Sequence, residues 1–385
     1  MLYQTTFQGV CGFIRSAKRR ADVQYKFVES FSGPGGMSLG LANAGLDTAF
    51  AFDIDPPSVE THSLNLGNHA EVADASKLTG EEILERIGIS VGELPVFAGG
   101  PPCQGFSKQK RGAHLGDNRN NLVNDYIRLV EELRPKIFVF ENVAIFGQKR
   151  GRQYVKAMHE KLHSYQIDFT FVNSADFGLA QTRERFLVVG KRSDISASFY
   201  FPTREKTNWK TVADVFAGLP EPPSDHSEHP QYPNHQSARV SAANIHRFSF
   251  VPQGGGWKDI PFEYRLPCHQ RIDATKGGWP DVYGRLRADG QCPTITGGFD
   301  SFSRGRYGHP TENRPLTPRE AARLQGFPDD FVFVGNRSDV RKQIGNAVPP
   351  PVAEAVGIEI LKTLLIHDGY LDEDRPHARL LEESS

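Results

Sequence analysis

The chain has 385 residues, 38% of them hydrophobic, and a mean hydropathy of −0.45, which is enough for a large domain with its own core and a smaller second one. No apolar run approaches the roughly 18 residues that span a bilayer, and the N-terminus lacks the pattern of a signal peptide, so we expect a cytoplasmic protein without a membrane partner. The cysteines lack CxxC spacing, which argues against a zinc site or a disulfide framework and predicts no metal; they are Cys11, Cys103, Cys268 and Cys292.

Charge is unevenly distributed along the chain, although the formal net charge is only −1. Residues 45–100 carry ten acidic and two basic residues, whereas residues 102–156 carry eleven basic and five acidic ones. A basic block that begins at a candidate nucleophile suits a polyanionic substrate. A solvated charged face is the alternative interpretation of any single lysine in it.

The segment from Lys26 to about residue 75 has a βαβ pattern. A short apolar segment ends in glycines, a small-residue helix follows, and the strand TAFAFDID leads into the helix SVETHSLNLG. This order predicts the front of a doubly wound α/β sheet, in which ligands bind at the carboxyl ends of the strands.

Candidate ligand-binding groups follow these strands. The glycine signature, Phe31, Gly33, Gly35 and Gly36, exposes backbone that a cofactor can approach closely. Asp53 closes the second strand, where a carboxylate binds ribose hydroxyls. Ile54 can pack on an adenine face, and Asp74 can accept from an adenine amino group. Together these groups predict a nucleoside-containing cofactor.

A rigid loop then presents one thiol. Gly99 and Gly100 allow a sharp turn after an apolar strand, Pro101 and Pro102 restrict two φ angles, and Cys103 follows directly. A strand that ends in such a loop suggests a placed nucleophile. A buried structural cysteine is the alternative.

Further along, Asn121–Leu133 has the periodicity of an amphipathic helix, and the strand KIFVFENV terminates in Glu141-Asn142-Val143. A carboxylate at the end of an apolar strand is costly unless it is paired or used, although an exposed acid at the strand mouth is an equal alternative. The segments FTFVNSADFG and RERFLVVGKR predict a strand pair. Alternation places Arg183 and Arg185 on one face of it, where they bind oxygen acceptors or form a surface charge pair.

The remaining third begins with a loop-rich stretch. Residues 200–284 are rich in Pro, His, Gly and Ser and show no sustained periodicity, which predicts an insert or small domain. Thr317 followed by Pro318 predicts a helix start. The final segment QIGNAVPPPVAEAVGIEILKTLLI indicates a Gly-Asn turn, a proline stretch and a long apolar helix.

Six segments occur in a characteristic order: FSGPGG, GGPPCQGFS, ENV, QTRER, RPLTPREAARLQGFPDD and QIGNAVPPPV. In these segments the chain resembles the C5-cytosine DNA methyltransferases, which use S-adenosylmethionine. The resemblance runs from about Lys26 to the last helix and leaves out residues 200–284. It implies an α/β fold, a doubly wound Rossmann-like methyltransferase sheet with a smaller, loop-rich target-recognition domain, and methylation of C5 of cytosine in DNA.

The resemblance also implies catalytic roles. Cys103 would add to C6 of the cytosine, and Glu141 would hydrogen-bond N3 and the exocyclic amine. Arg185 would hold the O2 side of the base, with Arg183 supporting the loop. This chemistry cannot occur inside a stacked duplex, so the target cytosine has to be flipped out.

For the cofactor, the resemblance implies contacts from Phe31, Gly33, Gly35, Asp53, Ile54, Asp74, Pro102, Leu122, Asn346 and Val348. Three positions depart from the family pattern. Asp53 stands where Glu is usual, Ile54 where Trp is frequent, and Pro34 where a small residue is more common. The first two departures can weaken cofactor affinity without abolishing it.

The resemblance further implies a catalytic domain of residues 1–200 plus 335–385 and a target-recognition domain of residues 201–334. The expected partners are double-stranded DNA and, at the level of the system, a cognate restriction endonuclease, with the protein as a monomer. A tRNA-directed enzyme, a catalytically inactive DNA-binding paralogue and an α/β oxidoreductase are the alternatives. The Cys-Phe-Thr signature of the tRNA-directed enzymes is absent from this sequence. Inactive paralogues typically lose the Pro-Cys or ENV residues, both of which this chain keeps. An oxidoreductase would leave the later motifs unexplained.

Overall fold

The computed structural model describes residues 12–19, 21–102, 121–202, 209–272 and 279–372. Tertiary contacts group the chain into two compact units. The first unit comprises Met1–Val172, Glu184–Arg204 and Pro350–Ser385, and the second comprises Asn173–Arg183 and Glu205–Pro349. Within the described ranges, no helix has both the length and the apolar character needed to cross a membrane.

The first unit is built on a seven-stranded sheet with the order β3-β2-β1-β4-β5-β8-β6. Its strands are β1 (Lys26–Ser30), β2 (Asp47–Asp53), β3 (Ala70–Val72), β4 (Val96–Gly99), β5 (Ile137–Val143), β6 (Tyr165–Asn173) and β8 (Glu184–Arg192). β1 to β5 are parallel, and β8 runs antiparallel to β5. The predicted doubly wound α/β fold is therefore confirmed, and the strand order reverses between β1 and β4, where such folds bind ligands.

Helices connect these strands. They are α1 (Gly36–Ala44), α2 (Pro56–Leu66), α3 (Gly80–Ile87), α4 (Asn121–Leu133), α5 (Arg152–Lys161) and the C-terminal α11 (Pro350–His367). The central strands β4 and β5 are almost wholly buried, as expected for parallel strands covered on both faces. Apolar residues that recur with helical spacing in α4, such as Ile127 and Leu133, are buried in one core cluster with residues of β4 and β5. This confirms the predicted helix.

The C-terminal helix α11 packs against α1 at close range. A Cβ at Gly357 would lie 2.7 Å from the Cβ of Ala44, and a Cβ at Gly40 would meet the backbone of Pro350 and Glu354. Small residues at the contact let the two helix backbones approach each other. The end of the chain thereby stabilises the helix that follows the glycine loop.

The second unit consists of short elements. They are β7 (Gln181–Thr182), α6 (Val212–Phe216), α7 (Ala242–Ser249), α8 (Pro267–Gln270), β9 (Cys292–Pro293), α9 (Pro318–Gln325) and α10 (Arg337–Asn346). Its core includes an aromatic cluster built around the buried Trp257, which contains Phe248, Tyr283 and Phe302. The predicted start of α9 is confirmed, since the Thr317 hydroxyl accepts from the Glu320 backbone and Glu320 bonds back to the Thr317 N–H.

One prediction of local structure is wrong. The segment QIGN is not a turn, because Gly345 and Asn346 complete helix α10. A glycine is needed at position 345 because a Cβ there would collide with the backbone of Gly297.

The predicted alternation at Arg183 and Arg185 agrees with their burial. Both side chains are buried, whereas Glu184 between them is exposed. Their partners nevertheless differ, because Arg183 binds Ile295 of the second unit and Arg185 pairs with Glu141 of the first.

The unit boundaries also differ from the expected domain boundaries. Residues 173–183 and 335–349, which the sequence places in the large domain, group with the second unit. Hydrogen bonds explain this grouping, since Gln181 and Arg183 bind backbone atoms of Ile295 and Arg183 also binds Gly345. The functional assignment of the domains stays a prediction.

Candidate active site

The loop between β1 and α1 exposes backbone at the carboxyl edge of the sheet. Phe31, Gly33 and Gly35 all have positive φ angles, of 55°, 53° and 95°. At Gly33 a Cβ would have no neighbour within 4 Å, whereas at Gly35 it would lie 2.8 Å from the His62 ring. The loop thus rests on α2 beneath Gly35 and leaves open space above Gly33.

Asp53 secures this loop from the end of β2. Its carboxylate accepts from the backbone N–H groups of Gly33 at 2.8 Å and Asp55 at 2.9 Å. Burial raises the pKa of Asp53, while these N–H bonds act in the opposite direction. The next residue, Ile54, is 68% exposed. A fixed carboxylate beside an uncovered apolar side chain suits the ribose and the base of a nucleoside.

Asp74 lies two residues beyond β3 and is half-buried. Its Oδ1 accepts from the backbone and the hydroxyl of Ser76, and these bonds lower its pKa. Asp74 is therefore an ionised acceptor at neutral pH. Open loop backbone, two carboxylates and an exposed aliphatic side chain fit the adenosine part of S-adenosylmethionine.

A buried polar chain beneath the glycine loop was not expected from the sequence. The Ser38 hydroxyl hydrogen-bonds Glu29, and His62 Nε2 lies 3.1 Å from the same hydroxyl. Burial raises the pKa of Glu29 to about 8 and lowers the pKa of His62 to about 4. At neutral pH this chain is largely uncharged, so it links α1 to α2 without placing a strong charge under the loop.

A second group of residues lies where β5 ends. Glu141 and Arg185 are both 8% exposed, and Arg185 Nε forms an ion pair with Glu141 Oε1 at 2.8 Å. In the antiparallel pair of β5 and β8, Arg185 lies opposite Val143, two residues from Glu141. This register brings the side chain of Arg185 next to that of Glu141. Glu141 is therefore a buried, paired carboxylate and not an exposed acid at the strand mouth.

The start of the proline loop is held against this pair. Asn142 Nδ2 donates to the Pro101 carbonyl at 3.1 Å, and a Cβ on Gly100 would lie 3.1 Å from Glu141 Oε2. Gly100 thus lies so close to Glu141 that a side chain at position 100 would be tightly packed against the carboxylate. Cys103 lies outside the described residues, whereas Pro102 is described and half-buried. The role of Asn142 was missed, although its place in ENV beside Glu141 was a usable signal.

Arg183 is 2% exposed and serves the second unit. Its guanidinium donates to the carbonyls of Ile295 at 2.9 Å, Gly345 at 3.1 Å and Ala347 at 3.0 Å. Gln181, also missed, donates to Leu324 and Gln325. These bonds join the QTRER segment to the segments that carry the two last motifs.

The other expected cofactor contacts are divided between the units. Leu122 lies on α4 of the first unit and is half-buried. Asn346, the last residue of α10, is exposed, and Val348 is half-buried, both in the second unit.

Among the described residues, one cluster of potential metal ligands comprises His309, Glu312 and Glu320. The Arg314 guanidinium donates to both glutamates at 2.7 Å. Because the Arg314 guanidinium already pairs with both carboxylates, these residues form an ion-pair network within the protein.

Comparison with known proteins identifies the family. The family model for C-5 cytosine-specific DNA methylases matches residues 25–362. The chain belongs to this family. The methylase is 34% identical to the Type II methyltransferase M1.HphI of Haemophilus parahaemolyticus over 342 residues, which are 87% of this chain and 86% of that protein. It is 33% identical to the Type II methyltransferase M.XorII of Xanthomonas oryzae pv. oryzae, over 88% and 84% of the two chains.

Solved structures agree with the fold of the methylase. A prophage-encoded protein of E. coli, assigned as a DNA modification methyltransferase, superimposes with a TM-score of 0.69 at 27% identity, covering 89% of this chain and 99% of that one. The S. pombe Dnmt2 methyltransferase gives a TM-score of 0.55 at 18% identity, covering 90% and 99%, and supports the fold alone. The chain is a DNA methyltransferase with a Rossmann-like central sheet.

Proposed function

We propose that the methylase modifies C5 of a cytosine within a short recognition sequence of double-stranded DNA. The observation that supports this most directly is the buried Glu141–Arg185 pair, with Pro101 tied to the adjacent Asn142. A carboxylate and a guanidinium side by side offer an acceptor and donors to the polar edge of a pyrimidine. Their position next to the proline loop suits a base that meets the thiol of Cys103.

In this mechanism the Cys103 thiolate forms a bond to C6 of the flipped-out base, and the electrons of the C5–C6 double bond move toward C5. Glu141 stabilises the base through N3 and the exocyclic amine as charge develops there, and Arg185 orients both Glu141 and the O2 side. When bound, S-adenosylmethionine would supply an electrophilic sulfonium methyl group to C5 and would leave as the neutral thioether S-adenosylhomocysteine. Loss of the C5 proton to solvent would then return its electron pair to the C5–C6 double bond, break the C6–sulfur bond and release Cys103 as a thiolate.

We assign the cofactor to the carboxyl edge of β1 and β2. Gly33 and Gly35 would expose the loop backbone to it, Asp53 would bind its ribose, and Ile54 and Asp74 would contact its adenine. Five further contacts complete the proposed set: Phe31, Pro102, Leu122, Asn346 and Val348. Arg183 would act indirectly, by bracing the segment that carries Asn346.

Asp53 provides a direct test of the cofactor site. We expect Asp53→Ala to weaken the binding of S-adenosylmethionine by about 10- to 100-fold, because a hydrogen bond to a charged group contributes about 1.5–3 kcal/mol. Equilibrium dialysis would measure the dissociation constant, and Asp53→Glu, which keeps the carboxylate, should recover most of the affinity. The control is Asp47→Ala, which removes the acid at the opposite end of β2, where it pairs with Lys18. Equal affinity of D53A and wild type would contradict the assignment.

We further propose a monomer that acts on DNA in the cytoplasm, paired with a restriction endonuclease of the same specificity. The Type II relatives support this pairing. Residues 201–283, most of which fall in the second unit, would carry the base contacts that select the sequence.

Methyl transfer to defined nucleic acids tests the proposal. With S-adenosylmethionine labelled in its methyl group, we expect label in unmethylated duplex DNA and none in tRNA. Bisulfite sequencing should then place the modification at cytosines of one short repeated context. Label only in tRNA would instead assign the enzyme to RNA, and bound cofactor without label in either would indicate an inactive paralogue.

A further inference from the structure

The second unit contains a cavity of about 540 Å³ that includes none of the catalytic or cofactor residues proposed above. Four arginines border it, namely Arg239, Arg304, Arg337 and Arg341, against a single acid, Asp300. These lining residues therefore carry three more positive than negative charges. Such an excess is unfavourable unless solvent or a ligand compensates it.

The single acid is already committed. Asp300 is 4% exposed and accepts from Arg337 Nε at 2.5 Å and from Arg341 Nη1 at 3.2 Å. The Nε of Arg341 is buried without a hydrogen-bond partner. Arg239 and Arg304 are exposed, and neither forms an ion pair with an acid of the described residues. Two arginines thus remain uncompensated, and the other two share one carboxylate.

The neutral polar groups of the cavity also favour an acceptor ligand. Asn244 Oδ1 accepts from the Tyr283 hydroxyl at 2.6 Å and from Arg247 at 3.0 Å, which leaves the amide NH₂ as a donor. The Ser241 hydroxyl oxygen accepts from the Asn244 N–H at 3.4 Å and keeps its own proton to donate. The acceptor oxygens of Asn244 and Ser241 thus already receive hydrogen bonds, whereas the N–H groups of the Asn244 amide and the Ser241 hydroxyl proton remain available to donate. Such donors suit an anion.

We propose that this pocket binds a backbone phosphate of the DNA substrate. The inference rests on the proposed function, since it takes DNA as the source of the phosphate. Guanidinium groups match two phosphate oxygens in a forked geometry, and the cavity is large enough to admit the sugars on either side. A contact of this kind positions the duplex and carries no sequence information.

The test is the salt dependence of DNA binding. The logarithm of the DNA-binding constant falls linearly with the logarithm of the salt concentration. Each lost phosphate contact reduces the magnitude of this slope by about 0.9. We expect the double variant Arg239→Gln, Arg304→Gln to reduce the magnitude of the slope by about 0.9, because it removes the contact to one phosphate. The variant should also weaken binding by the same factor for a duplex that contains the sequence the enzyme methylates and for unrelated duplexes. Arg239→Lys with Arg304→Lys keeps both charges and should restore the slope.

A matched control removes two positive charges elsewhere. Arg86→Gln with Lys161→Gln alters exposed helix positions of the first unit, outside the basic block of residues 102–156, and should leave the slope unchanged. A slope in the pocket variant equal to that of the control, while wild type methylates DNA, would overturn the pocket alone. Absence of DNA binding by wild type would overturn the proposed function and the pocket together.

The same variants separate DNA from free phosphate as the source. Calorimetric titration with inorganic phosphate alone measures the second source. Phosphate binding that disappears in the double glutamine variant, with an unchanged DNA slope, would overturn DNA as the ligand. A loss of affinity confined to the duplex that contains the methylated sequence would also overturn the proposal, because it would indicate that these arginines contact bases.

Discussion

Replacing Cys103 by serine should lower the rate of methyl transfer at least about 10³-fold while leaving DNA affinity nearly unchanged. A serine hydroxyl is almost wholly protonated at neutral pH, whereas a thiol supplies a fraction of strongly nucleophilic thiolate. Removal of a covalent nucleophile therefore affects chemistry far more than binding. Single-turnover label transfer and a binding titration on the same duplex measure the two quantities separately.

The chain offers a matched control for this substitution. Cys268 is an exposed free cysteine of the second unit, and Cys268→Ser makes the same chemical change away from the proline loop. We expect it to retain full activity. Full transfer by C103S would refute the nucleophile assignment, and equal losses in both variants would point to a general effect of thiol removal.

Replacing Glu141 by glutamine should slow the chemical step by about 10²- to 10³-fold, the usual effect of removing one preorganised group that stabilises transition-state charge. The carboxylate has little solvent to replace it, because the side chains of Glu141 and Arg185 are only 11% and 10% exposed. Glutamine keeps an oxygen that can accept from Arg185, so most of the fold should survive. Single-turnover rates at saturating DNA and cofactor report the effect.

Stability has to be measured beside the rate. Breaking a buried ion pair costs about 3–5 kcal/mol when one charge is left without a partner, and retention of the acceptor should keep the loss below that. Asp194→Asn, in the turn that follows β8, is the control, since its pair with Arg192 is at the surface and Asp194 is 59% exposed. Such pairs contribute at most about 1 kcal/mol. If the E141Q rate falls only in proportion to its unfolded fraction, Glu141 has a structural role alone.

The sequence predicted most of what short-range rules control. The strand ends at Asp53 and at Glu141-Asn142-Val143, the helix Asn121–Leu133 and the capped start at Thr317 are all confirmed. Each depends on periodicity, capping or chain stiffness within a few residues. The order of the motifs was sufficient to indicate the family, which the family model then bears out.

Packing between distant segments was beyond those rules. Nothing near Gly345 in sequence indicates that its helix passes against Gly297. Local alternation likewise gave no indication that Arg183 binds the carbonyls of Gly345 and Ala347. The tie from Asn142 to Pro101 joins residues 41 positions apart. Such contacts depend on strand order and on which surfaces bury each other.

The sequence by itself therefore determined the fold class, the family and the identity of the chemical groups, because residue type and local pattern carry that information. Tertiary structure alone decided that Glu141 is paired with Arg185, that Arg183 braces the second unit, and that four arginines and one acid line the same cavity. The physical reason is that charge and hydrogen-bond chemistry act over a few ångströms in space. Residues as far apart in sequence as Asp300 and Arg341 come within that range only when the chain is folded.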